Sequence, residues 1–150
     1  MARVTRTRTV EAPPQEVWKL VSDPYSLPRW WPRTTRVENV DDKAGGRRAR
    51  WTKVLETSEG RGVRADFRCV SSAEAERYVW EQELAGTPFE RHLKALQVEV
   101  RLREQDGGTE VSLSEDQSLR GMSKLGSPLM RKARGDVLDE ALDGIERALA

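Results

Sequence analysis

Acid–base chemistry in this chain would fall first to His92, its only histidine. Imidazole is the one side chain whose ordinary titration lies near neutral pH. A working base needs a partner within hydrogen-bond reach, and Tyr78 or Glu115 can serve only if strand register brings one of them there. Cys69, the single cysteine, has no activating group evident beside it in sequence and reads as a buried, inert thiol. One cysteine forms no internal disulfide, and one histidine with one cysteine is a poor metal set. No metal and no cofactor is expected.

These residues need elements to position them. Arg3 to Val10, with alternating Thr and Arg, reads as a first strand. Ala12-Pro13-Pro14-Gln15-Glu16 opens a helix, because Pro tolerates the first turn and an acidic residue favours it. Ser22-Asp23-Pro24 closes it, and a short second helix over Tyr25 to Trp30 stops at Pro32. From Thr34 to Leu119 the pattern has period 2, with strands over 34–40, 47–57, 61–70, 76–85, 92–105 and 109–119. Asp106-Gly107-Gly108 is the strongest hairpin signal among the turns. Ser127-Pro128 then starts a helix in which Leu129, Ala133, Val137, Ala141, Ile145 and Ala148 recur at helical spacing. Met130, Leu138, Leu142 and Leu149 widen that stripe. Its length of about 33 Å is enough to cross a sheet.

One face of each strand is apolar and the other charged, as in an antiparallel sheet covered on one side. Only the terminal helix is long enough to cover it. The expected fold is therefore α+β, with a seven-stranded curved antiparallel sheet in the order β-α-α-β-β-β-β-β-β-α. The long C-terminal helix packs across the sheet, in one domain spanning 1–150.

A strongly curved sheet and a straight helix leave a space between them. Trp30 and Trp31 fall at its entrance, although either also reads as a core plug. Trp51, Phe67, Cys69, Tyr78, Trp80 and Leu96 share the inward face and line either a core or a pocket. Lys53, Gln82, His92, Lys94, Glu115 and Gln117 have the same parity. Buried, they need a network, water or a ligand, because an unpartnered polar group costs about 1–3 kcal/mol. For Lys53 and Lys94 the favoured reading is a solvated strand end beyond the helix. For Gln82, His92 and Gln117 both readings stay open. Met122, Leu125, Leu129, Met130 and Ala133 are the expected lid, with Gly121 and Gly126 loosening the approach to the helix. Arg47, Arg48 and Arg50 read as a solvated strand edge.

Composition narrows the partners. The 150 residues include 26 Lys plus Arg against 25 Asp plus Glu, a net charge of +1, so there is no electrostatic case for nucleic acid. No apolar run approaches the roughly 18 residues that span a bilayer, and the basic, polar start is unlike a signal peptide. The expectation is a cytoplasmic protein without stable membrane insertion, monomeric or homodimeric.

The series Val10-Glu11-Ala12-Pro13-Pro14-Gln15-Glu16-Val17-Trp18, then Ser22-Asp23-Pro24, then Pro28-Arg29-Trp30-Trp31-Pro32, resembles the start of small bacterial polyketide cyclase/dehydrase-like proteins. These belong to the SRPBCC superfamily, with the helix-grip fold of START-type and Bet v 1-like proteins. The resemblance covers the element order of nearly the whole chain and implies a cavity protein. It does not fix activity, since the superfamily includes carriers, cyclases and receptors.

The leading expectation is binding or transport of a small hydrophobic ligand of lipid, polyketide or isoprenoid class, without catalysis. The alternatives are a polyketide cyclase/dehydratase with His92 as base assisted by Tyr78 or Glu115, and an interaction module with a filled interior.

Overall fold

Alternation along the chain produces the expected strands, and their pairing explains what each face meets. The structure, a computed structural model, describes residues 2–41, 49–56, 62–120 and 128–150. Strand β1 (Ala2–Val10) leads to α1 (Pro14–Val21), a 3-10 turn (Pro24–Ser26) and α2 (Leu27–Trp30). Strands β2 (Thr34–Asp41), β3 (Arg50–Glu56), β4 (Gly62–Ala73) and β5 (Arg77–Glu83) follow. A second 3-10 turn (Pro88–Arg91) precedes β6 (Leu93–Gln105), β7 (Gly108–Leu119) and the long helix α3 (Pro128–Leu149). The seven strands form one antiparallel sheet ordered β1-β7-β6-β5-β4-β3-β2. This is the helix-grip α+β architecture.

Local chemistry sets the joints. Pro14 occupies the first turn of α1, where its missing N–H costs nothing. The Asp23 carboxylate accepts from the Tyr25 N–H at 3.0 Å, turning the chain from α1 into α2. Asp106 and Gly107 both take positive φ, 50° and 82°, in the hairpin joining β6 to β7. Just after this hairpin, the Thr109 hydroxyl donates to the Ala12 carbonyl oxygen at 2.7 Å in a buried position.

Helix α3 rests on β1, β7 and α2. Leu138, Leu142 and Ile145 are buried beneath it, each contributing about 1.5–3 kcal/mol. Gly144 allows a close crossing over α2, because a Cβ there would lie 2.2 Å from the Trp30 carbonyl oxygen. Arg6 and Arg8 of β1 reach up to this helix. Arg6 lies 3.4 Å from Asp139, and Arg8 pairs with Asp143 and, at 3.4 Å, with Glu146. The acidic spacing of three to four residues puts these carboxylates on one side of α3.

The first turn of α3 does not serve as the expected lid. Leu129 and Met130 are 75% and 44% exposed. Met122, Leu125, Gly121, Gly126, Arg47 and Arg48 lie outside the described residues.

Several strand ends differ from the expectation by one to three residues, and two of the shifts have a visible cause. A bulge between Cys69 and Ser71 leaves Val70 40% exposed and carries β4 on to Ala73. Pro88 starts a 3-10 turn, so β6 begins at Leu93 and His92 falls in the turn's cap. The outer face is also less solvated than expected. Glu99, 8% exposed, accepts from Arg77 at 2.6 Å, Arg101 at 2.8 Å and Arg3 at 3.2 Å. Val79, the cross-strand partner of Glu99, is 1% exposed.

Candidate functional site

A cavity of about 310 Å³ opens between the inner face of the sheet and α3. Five strands line it. Lys53 and Leu55 come from β3, Phe67 from β4, Trp80 and Gln82 from β5, Leu96 and Val98 from β6, and Glu115 and Gln117 from β7. Trp31, at the end of α2, and Ala133, Arg134 and Val137 of α3 complete the described lining. Ala133 is the exposed member of this lining.

Register explains the grouping. Glu115 pairs with Val98, Val98 with Trp80 and Trp80 with Cys69, forming one row across four strands. Gln117 pairs with Leu96 on β6, while Gln82 pairs with Phe67, which pairs in turn with Trp51. Alternation sends the lining members of these rows to one face.

The aromatic wall is built from edge-to-face contacts. Trp31 and Trp80 ring centroids are 5.7 Å apart, and Trp30 packs against both at 5.5 and 6.2 Å. Only Trp31 and Trp80 of these reach the cavity.

Lys53 is the unusual lining residue. It is 4% exposed, and its Nζ lies 4.5 Å from the Phe67 ring centroid and 4.9 Å from that of Trp31. Among the described residues no carboxylate approaches it closely enough for an ion pair, and the rings supply its near contacts. Burial lowers its pKa from 10.5 to about 7, against the opposing charge of Glu115. Glu115 itself accepts from Gln117 Nε2 at 2.9 Å. Arg134 Nη2 donates to the Glu115 carbonyl oxygen at 2.8 Å, tying α3 to β7 beside the cavity. Gln82 Nε2 and Trp80 Nε1 are buried without a hydrogen-bond partner among the described residues.

The expected site residues divide clearly. Trp31, Phe67, Trp80, Gln82, Leu96, Glu115, Gln117 and Ala133 line the cavity together. Trp30, Trp51, Cys69 and Tyr78 do not. They are 1%, 2%, 6% and 1% exposed and belong to the core, with Trp51 stacked on Phe67 and Trp30 held under α3. Burial raises the Cys69 thiol's pKa, against hydrogen bonds with Tyr78 and the Ser71 carbonyl oxygen. His92 is exposed in its turn and absent from the lining. The combination of His92, Tyr78 and Glu115 is therefore not assembled: one is in solvent, one in the core and one in the cavity. Lys94 is exposed, as expected of a strand end, but Lys53 is not.

Sequence reasoning missed Lys53 as a cavity group, and it missed Arg134 altogether. The signal for Lys53 was its parity between Trp51 and Leu55. Arg134 carried none, because it adjoins the apolar stripe of α3 rather than lying on it.

The family description "Polyketide cyclase / dehydrase and lipid transport" matches residues 1–150. The chain belongs to this family. Among solved structures, a START superfamily protein from Mycobacterium smegmatis superposes with a TM-score of 0.77 at 16% identity, covering 97% of this chain and 95% of that one. A protein from Thermus thermophilus gives 0.76 at 20% identity, with coverage of 97% and 95%. The di-domain ARO/CYC protein BexL of the BE-7585A biosynthetic pathway gives 0.76 at 15% identity, covering 97% of this chain and 49% of that one. No curated protein matches at a significant level. At these identities the likeness of this polyketide cyclase/dehydrase and lipid transport family member to solved structures carries the fold alone. No helix among the described residues is long and apolar enough to cross a membrane.

Proposed function

We propose that this single domain binds or carries a small, mainly apolar molecule, of lipid, polyketide or isoprenoid class, between its sheet and α3. The observation that carries the reading is the 310 Å³ cavity, walled by Trp31, Trp80, Leu96 and Val98, with polar groups at a few points only. That size and balance match ordinary small-molecule sites, which are largely apolar with few orienting polar groups. Other depressions are less suited. The one over Arg77, Arg101 and Arg103 is about 470 Å³, but Glu99 and Glu110 already pair with those guanidiniums.

Two cavity tryptophans supply the assay. Addition of a bound ligand should quench or shift Trp31 and Trp80 emission and raise the melting temperature. Mass spectrometry of organic extracts from freshly purified protein should find the retained molecule. No response across lipids, quinones and aromatic polyketides, with an empty extract, would remove the proposal.

A further inference from the structure

Two of the hydrogen-bond donors in the cavity lining, Lys53 Nζ and Gln82 Nε2, flank one ring without an acceptor among the described residues. Gln82 pairs directly with Phe67 across the β4–β5 ladder, and its Nε2 is buried without a partner among the described residues. Lys53 Nζ lies 4.5 Å from the Phe67 ring centroid and has no ion-pair partner among the described residues. The lysine is more than nine-tenths buried, and both residues face the cavity. Glu115, the carboxylate of the described lining, accepts from Gln117 and favours the protonated form of Lys53 by its charge without forming an ion pair with it. Among the described lining residues the cations are Lys53 and Arg134 and the carboxylate is Glu115.

A buried cation and a buried amide N–H without acceptors are costly, and a low-dielectric site strengthens whatever oxygen satisfies both. A neutral oxygen would meet the amide but bring the cation no charge of opposite sign. A carboxylate meets both, through charge-assisted hydrogen bonds. The remaining walls, chiefly Trp31, Trp80, Leu96 and Val98, suit an aliphatic or aromatic body. The volume of about 310 Å³ equals roughly ten waters at about 30 Å³ each, room for a medium-length chain.

We propose that the cavity takes an amphiphilic monocarboxylate, its carboxylate seated between Lys53 Nζ and Gln82 Nε2 and its apolar body against Trp31 and Trp80. This rests on the cavity-binding reading and assigns that ligand its polar group. Among the described residues the charged groups that share the lining with Lys53 are Glu115 from β7 and Arg134 from α3.

The test compares decanoate with decan-1-ol, by Trp fluorescence and calorimetry, on the intact chain and on Lys53→Met and Gln82→Leu. At pH 7 the wild-type chain should bind decanoate at least about tenfold more tightly than the alcohol. Lys53→Met should bind the two alike, and Gln82→Leu should keep only part of the preference. Raising the pH to 9 should weaken decanoate alone, because Lys53 loses its proton while the carboxylate stays ionised. Equal binding of acid and alcohol by the wild type overturns the proposal, and so does a preference that survives in Lys53→Met. Either result leaves the cavity reading standing, because the alcohol still binds. Absence of binding by both molecules overturns the monocarboxylate proposal, while the cavity reading falls only with the wider ligand screen and an empty extract.

Discussion

Replacing Lys53 with methionine removes a buried ammonium while keeping an unbranched chain against Trp31 and Phe67. In the unfolded chain this lysine holds its proton up to its ordinary value of 10.5, whereas burial brings the folded value to about 7. Between those values the unfolded state binds more protons, so this lysine's contribution to stability becomes less unfavourable as pH rises. At about 1.4 kcal/mol for each pKa unit, the cost of burying Lys53 is about 5 kcal/mol below pH 7. By pH 9 it has fallen to about 2 kcal/mol. Lys53→Met carries no such cost. The stability gap between variant and wild type should therefore narrow by about 3 kcal/mol from pH 6 to pH 9. Urea unfolding at the two pH values measures it, and taking the difference cancels every other titrating group common to both proteins. A gap that stays constant or widens with pH refutes the burial of this ammonium.

Four further outcomes follow from the same geometry. Gly144→Ala puts a Cβ 2.2 Å from the Trp30 carbonyl oxygen and should destabilise by about 1–3 kcal/mol; an unchanged melting temperature would contradict the close α2–α3 crossing. Leu96→Trp fills the cavity from β6 and should abolish ligand-induced fluorescence change while far-UV circular dichroism stays native. His92→Ala should leave ligand affinity unchanged within error in calorimetry, since the side chain is exposed outside the lining. Burial tends to raise the Glu99 pKa, but the hydrogen bonds from Arg77 and Arg101 outweigh it and hold it below 4.5. Its stabilisation is thus present above pH 4.5 and lost as pH falls through the lower folded value. Glu99→Ala should cost about 1 kcal/mol at pH 7, a loss that shrinks on acid titration of the unfolding midpoint.

Legibility differed by kind of information. The strand alternation between Thr34 and Leu119, the Asp106-Gly107 turn and the long apolar stripe of α3 are local patterns, and each reappears in the fold. So does the inward grouping of Phe67, Trp80, Gln82, Leu96 and Gln117, because period 2 assigns a face whatever the partner strand.

The sequence by itself determined the helix-over-sheet architecture and the face each strand residue takes, since both follow from periodicity and turn chemistry. It could not determine depth. His92 and Lys53 had the same inward parity, yet a 3-10 turn begun by Pro88 puts the first in solvent, while Trp31 and Phe67 close over the second. Trp30 and Trp31 are neighbours in the chain, yet the glycine crossing at Gly144 holds one in the core and leaves the other on the cavity wall. Tertiary structure alone decided these, because burial depends on which distant element comes to cover a residue. That covering is what turns Lys53 from an expected surface cation into a buried group of the cavity wall.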